Sequence, residues 1–323
     1  MSLNILDKKI IYELGINAHL TYKELAHLTN SKKTVIAYHF ENLHKNEIIW
    51  KFVPVFSINR LGFYGYKIYL KFQGLDKKEK EALLKDTIED PLINWVAQTA
   101  GSWDLLLAMY VYNPLEFAER KNLFFKKYGQ YIQEYSVSFI EDALVFNRDY
   151  LLNKKVDYRR EFVFGGKAAI EHIDQNQKDI IERIRNNGRY QITDLAKRLN
   201  LNVRTIISKI KDLEQRKIIQ GYTTFLDINK IGLKFFKLCI YLQDFSTEKY
   251  NSLINFARFN QHVIHLIKAI GDWELELEME AENVEYIYNF IEQIKTKFPH
   301  TIKKIDLIII TKEHKLEFFP QWH

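Results

Sequence analysis

Four carboxylates recur at every second position of WELELEME, residues 273–280: Glu274, Glu276, Glu278 and Glu280, with Leu275, Leu277 and Met279 between them. In a strand this alternation puts the acids on one face and the apolar side chains on the other. Standing free, such a row gathers an ammonium group or a divalent cation. The commoner outcome is solvation, or pairing with lysines on neighbouring strands, and Lys237, Lys303 and Lys304 lie in strand-like segments that suit the role. A second cluster is cationic. Arg183, Arg185, Arg189, Lys197, Arg198, Arg204, Lys209, Lys211, Arg216 and Lys217 are opposed only by Asp194, Asp212 and Glu214 within 183–217. Their chemistry is the holding of phosphates.

Other reactive types argue against catalysis. His262 and His265 sit three apart in VIHLIK, a strand spacing that sends them to opposite faces, so they form no metal pair. Cys239 is the single cysteine, which excludes an internal disulfide framework and a cysteine-based zinc site and fits a reducing compartment. No Ser/His/Asp arrangement, P-loop or dinucleotide fingerprint occurs. The expectation is a protein that is not an enzyme, with no catalytic residue, metal or cofactor.

The 323 residues, 47% hydrophobic, suffice for more than one core. The formal charge is +6 and the isoelectric point about 9.0, which suits an anionic partner. The amino terminus lacks a signal-like apolar core and no segment approaches a membrane span, so a cytoplasmic, nucleoid-associated protein without membrane contact is expected.

The elements that must position these groups are written twice. NEIIWKFVPVFSINRLG, from Asn46, returns as RKIIQGYTTFLDINKIG, from Arg216, which lies 170 residues later. The same offset carries Leu25 to Leu195, Leu43 to Leu213, Gly62 to Gly232, and GSWD at 101–104 to GDWE at 271–274. Each copy opens with three short helical patterns. Their apolar stripes are Ile10, Ile11 and Leu14, then Ile36, Phe40 and Leu43 in the first copy. The second copy has Ile180, Ile181 and Ile184, then Ile206, Ile210 and Leu213. Ser31 and Asn202 are the expected N-caps of the third helices. A period-2 stretch follows each triad, predicting a hairpin wing and hence a winged helix-turn-helix.

After each wing comes strand, helix, two strands around a glycine, helix, strand: the βαββαβ order of a ferredoxin-like unit. The fold class is α+β, a winged helix-turn-helix plus a ferredoxin-like sandwich, repeated twice. The expected boundaries are 1–62 and 63–150 for the first pair, 151–173 for a linker, and 174–232 and 233–323 for the second pair. The apolar strand at 104–112 calls for a second sheet against it. From the acidic row, the first copy is expected to bring an apolar sheet face and the second a more polar one.

This order resembles the Lrp/AsnC (feast/famine) transcription regulators. The resemblance rests on LEQRKIIQGYTTFLDINKIGL and the Gly-x-x-Asp turn GSWDLL, covers both copies, and suggests a tandem-duplicated member. It implies sandwich domains that pair and oligomerise, and a small amino-acid-like effector bound near the turn, at Gly101, Asp104, Gly271, Asp272 and Glu274. Glu274 departs from the pattern that Asp104 keeps. The third helix would read double-stranded DNA through Lys33, Thr34, Tyr38 and His39 in copy one, and through Asn202, Arg204, Thr205, Ser208 and Lys209 in copy two. His39 and the flanking Glu41 and Glu47 weaken the first reader.

The expected function is a sequence-specific DNA-binding regulator, acting as a homo-oligomer or an intrachain pseudo-dimer that assembles further. Two alternatives stand beside it. Siroheme decarboxylases resemble the same paired architecture, but Gly101 and Trp103, and Gly271 and Trp273, occupy positions where those enzymes would carry Arg and His. The other is an adaptor that has lost DNA binding.

Overall fold

The structure is a computed structural model and describes residues 3–153, 161–320 and 322. The chain opens with α1 (Ile5–Ile16), α2 (Tyr22–Thr29) and α3 (Lys33–Lys45). Asn4 and Asp7 cap each other's amides at the start of α1, and Thr21 and Glu24 do the same for α2. Ser31 does not cap α3. The cap position is Lys32, which has no accepting side chain, because Asn30 ends α2 in the left-handed region and α3 starts one residue later than the sequence pattern placed it. As expected, Ile36, Phe40 and Leu43 are buried.

Strand β1 (Ile49–Phe56) leads into β2 (Tyr64–Phe72), α4 (Lys77–Glu89), β3 (Ile93–Gly101), β4 (Leu105–Val111), α5 (Pro114–Tyr128) and β5 (Ile132–Phe146). The expected linker carries β6 (Glu161–Gly165), which lies beside the second half of β5; residues 154–160 of that linker are outside the described residues. The second unit repeats the order as α6 (Gln175–Ile184), α7 (Ile192–Leu199), α8 (Val203–Gln215) and β7 (Ile219–Leu226). It continues as β8 (Lys234–Leu242), α9 (Thr247–Arg258), β9 (Val263–Ile270), β10 (Leu275–Ala281), α10 (Val284–Lys297) and β11 (Ile302–Leu316). Asn202 caps α8 by accepting from the Thr205 amide at 2.7 Å.

The predicted hairpin wings do not form within each unit. β1 and β7 instead pair with each other, antiparallel, and Val53 faces Thr223, the residue 170 positions on. Each period-2 stretch is a single strand, so its hydrogen bonds are met by its own copy across a pseudo-twofold axis.

The two ferredoxin-like sheets also join. β3 pairs with β11 and β5 with β9, so the order runs β2-β4-β3-β11-β8-β10-β9-β5, and the β5–β2 pairing closes the ring. Closure removes the free edges that two open sheets would expose. Outside the barrel, Ile68, Leu70, Leu105 and Leu107 pack under α4 and α5, while Leu275, Leu277 and Met279 pack under α9 and α10. Inside lie Lys67, Tyr69, Trp273, Lys237 and the acidic face of β10, all buried.

That interior revises the expectation for the acidic row. Glu276, Glu278 and Glu280 are not solvated; they are buried against the other copy. The asymmetry between copies is real, since Leu106 and Ala108 stand where β10 has Glu276 and Glu278. The first copy's face is nonetheless not purely apolar, because Lys67 and Tyr69 lie on it.

Candidate functional site

Two regions concentrate chemistry: the outer face of the second helix triad and the barrel interior beneath the β1–β7 ribbon. Of the ten cations at 183–217, four are held within the chain. Arg185 pairs with Glu182 and Glu317, and Arg216 with Glu171 and Asp212. Arg189 donates to the carbonyls of Ala18 and Leu20 at 2.6 and 3.1 Å and lies over Phe40 and Phe52, fastening the two helix triads to each other. Lys209 forms an ion pair with Asp174, the residue that caps α6. Arg183, Lys197, Arg198, Arg204, Lys211 and Lys217 are exposed, as are Asn202 and Ser208, with Thr205 half-buried.

On α3, Lys33, Thr34 and Tyr38 are exposed, Tyr38 at 66%. His39 is turned inward, its Nδ1 2.7 Å from Asp7. His39 and Lys209 are equivalent positions, and each is drawn back to a carboxylate at the start of its own triad, Asp7 in the first turn of α1 and Asp174 at the cap of α6. The structure thus gives both, nominated as DNA contacts, an intramolecular partner.

The glycine turns lie where the copies meet. A Cβ on Gly101 would stand 3.0 Å from the Leu307 carbonyl, and one on Gly271 2.7 Å from the Val137 carbonyl. Gly101 also has φ +115°, whereas Gly271 needs glycine for want of space alone. Asp104 accepts from the Phe72 amide at 2.9 Å and from Lys71 Nζ at 3.2 Å; Glu274 accepts from the Leu242 amide at 2.7 Å. The two acids therefore perform the same task, capping the first strand of each sandwich, and the extra methylene of Glu274 does not change it. Asp272 accepts from the Ser136 hydroxyl of the other copy at 2.6 Å.

Inside the barrel, the equivalent lysines Lys67 and Lys237 converge on carboxylates supplied by β10 alone. Lys67 Nζ is 2.6 Å and Lys237 Nζ 2.8 Å from Glu276, and Lys237 is 2.9 Å from Glu278. Tyr69 and Trp273 also donate to Glu276, at 2.7 and 3.0 Å, and His265 Nδ1 lies 2.5 Å from Glu278. Burial pushes the Glu276 carboxyl up, but Lys237 and Lys67 outweigh it and bring it down to about 2; the same balance holds Glu278 well below the usual carboxylate range.

This cluster forms part of the wall of a cavity of about 130 Å³, bounded by the ribbon residues 223–226 and Trp50. Arg148 binds Glu280 through two nitrogens, at 2.8 and 2.9 Å, and Tyr150 donates to the same carboxylate. Glu313 accepts from the Trp95 indole N–H at 2.8 Å. Its carboxyl is pushed up to about 7 by burial first and then by Glu278 and Glu280, with the Trp95 hydrogen bond and Arg148 acting in the opposite sense. The sequence reading missed Lys67, Arg148, Thr224 and Glu313. The one available signal was Lys67 within YKIYLKF, since it repeats as Lys237 in FKLCIYL.

A family model described as winged helix-turn-helix DNA-binding matches residues 173–220. The HTH-type transcriptional regulator FL11 of Pyrococcus horikoshii is 24% identical over 144 residues, 44% of this chain and 92% of the relative. LrpA of the same organism is 26% identical over 140 residues, 43% of this chain and 98% of the relative. One copy thus matches a whole regulator of the Lrp/AsnC type. Among solved structures, the siroheme decarboxylase NirDL superposes with a TM-score of 0.64 at 15% identity, covering 97% of this chain and 93% of that one. The same enzyme in complex with an iron-uroporphyrin III analogue gives 0.63 at 14% identity, covering 98% and 95%.

The chain has the tandem fold of NirDL. At that identity the likeness speaks for the fold: two winged-helix and ferredoxin-like units in one chain. Among the described residues, no helix is long and apolar enough to cross a membrane, and no cluster of three or more His, Cys, Asp or Glu is placed to hold a metal.

Proposed function

We propose that the chain is a DNA-binding regulator in which α8 and its flanks contact a duplex, while barrel and ribbon fix its position relative to α3. The observation that carries this reading is the set of six exposed cations on the second triad, with Arg204, Thr205 and Ser208 near the start of α8. Side chains there meet base edges when a helix enters the major groove, and the cations around them hold phosphates. The match at 173–220 and the similarity to HTH-type regulators support it. A salt-titrated gel shift with genomic duplex fragments tests it: retardation that weakens steeply with salt is expected. No retardation at low salt would leave the adaptor reading in its place.

A second reading is favoured by the near full-length likeness to NirDL: an enzyme acting on a siroheme-like tetrapyrrole. The cavity chemistry does not fit that substrate. About 130 Å³ is roughly the volume of an engineered cavity that holds benzene, and the wall carries three carboxylates whose repulsion a polycarboxylate would meet. Lys67 and Arg148, the cations present, are already bound to Glu276 and Glu280. Titration with siroheme, followed by absorbance, separates the two. A saturable spectral shift with release of carbon dioxide would replace the regulator reading with the enzymatic one.

A further inference from the structure

The cavity beneath the ribbon has polar capacity that the fold leaves unused, and all of it can accept a hydrogen bond. The lysine and arginine on the wall are already matched: Lys67 by Glu276 and Glu278, Arg148 by Glu280. Two of the three wall carboxylates are matched by the same pairs. Glu313 makes no ion pair among the described residues, and Trp95 Nε1 is the donor it has. Thr224 Oγ1, on a residue 1% exposed, has no hydrogen-bond partner among the described residues although it borders the cavity. Buried polar atoms in that condition are uncommon, and a bound partner is one thing that satisfies them.

The rest of the wall is aromatic and aliphatic, including Trp95, Tyr110, Phe164 and Phe235, with Trp50, 46% exposed, on the side that meets solvent. Ring faces attract cations. Glu278 and Glu280 make the surroundings of Glu313 negative, with Arg148 the opposing charge. A ligand that complements this wall brings a positive donor on a compact apolar body.

We propose that the cavity is a binding site for a small organic amine, its apolar body among the rings and its ammonium group donating to the Glu313 carboxylate, with the Thr224 hydroxyl as a further acceptor. A carboxylate ligand finds no unmatched lysine or arginine on this wall among the described residues, and an enclosed space of about 130 Å³ suits a body of about one aromatic ring. The site is separate from the glycine turns at Gly101 and Gly271, and the proposal does not depend on DNA binding.

The test is calorimetric titration of the full chain with phenethylamine, isopentylamine, phenylacetate and 2-phenylethanol. At least one amine is expected to bind saturably while acid and alcohol do not. Binding near pH 6 releases about one proton, read from two buffers of different ionisation enthalpy, because Glu313 must ionise to receive the ammonium; near pH 8.5 the release disappears. Glu313→Gln keeps the shape and removes the charge, and weakens the amine about tenfold or more. The proposal is overturned if neither amine binds, if all four compounds bind alike, or if Glu313→Gln binds the amine unchanged. Should that variant fail to fold, the proton release in the unaltered protein decides, and its absence near pH 6 is equally fatal.

Discussion

Lys67 of the first unit donates to Glu276 of the second across the barrel at 2.6 Å, with both side chains almost wholly buried. Lys67 and Lys237, equivalent by the repeat, balance Glu276 and Glu278, so the cluster is neutral as a whole. Lys67→Met leaves an uncompensated buried charge and is expected to cost about 3–5 kcal/mol in urea unfolding. Adding Glu278→Gln restores neutrality and should recover much of that loss. A double variant no more stable than the single one would show that the charges are not coupled.

Acid should expose the same cluster. The native carboxyl of Glu276 lies near 2, below its ordinary 4.5. The stabilisation this confers is complete above about pH 4.5 and disappears as pH falls through about 2. Glu276→Gln, paired with Lys67→Met, should flatten unfolding midpoints across that window.

Glu313 has the opposite sign. Its native carboxyl lies near 7, above the unfolded value of 4.5, so the folded state binds more protons between those limits and stability falls as pH rises through them. At about 1.4 kcal/mol per pKa unit the loss is at most about 3.5 kcal/mol. Glu313→Gln is therefore expected to melt higher than the unaltered protein at pH 8 and about equally at pH 4.5. Equal midpoints at both values would contradict the shift.

Gly271 stands so close to Val137 that a larger residue there would force the two copies to shift. In Gly271→Ala the new Cβ would press on backbone atoms, the Val137 oxygen at 2.7 Å and Ser138 Cα at 3.2 Å, which cannot rotate away. Overpacking of this kind costs about 1–3 kcal/mol. Gly129→Ala, with nothing within 4 Å and no left-handed backbone, is the matched control and should stay within about 0.5 kcal/mol.

For DNA, the geometry separates two residues that the sequence treated alike. Arg204 is exposed and should cost roughly 1–3 kcal/mol of binding when changed to Ala, with relaxed base preference. Lys209 is engaged with Asp174, so Lys209→Ala should change affinity much less. Arg198→Ala, at the exposed end of α7, should weaken all sequences alike and lower the salt slope by about 1. Equal losses from Arg204 and Lys209 would mean that the Asp174 pair opens on the duplex.

Much of the architecture is written in local pattern. The helix triads follow from apolar spacings such as Ile206, Ile210 and Leu213, and the sandwiches from strand alternation such as 275–279, because burial of one face acts on a few neighbouring residues at a time. The repeat itself is a property of the chain: β7 begins 170 residues after β1, and β8 170 after β2. Tertiary structure decided which copy meets which. Hydrogen-bonding edges do not name their partner, so a stretch that looked like a hairpin became half of a ribbon, and two sheets became one closed barrel. The cavity was invisible for the same reason. Trp95 and Glu313, Arg148 and Glu280, Lys67 and Glu276 are each more than 130 residues apart, and no periodicity spans that distance. Sequence fixes which faces must be covered; only the fold settles what covers them, since that choice is made by long-range closure rather than by neighbours along the chain.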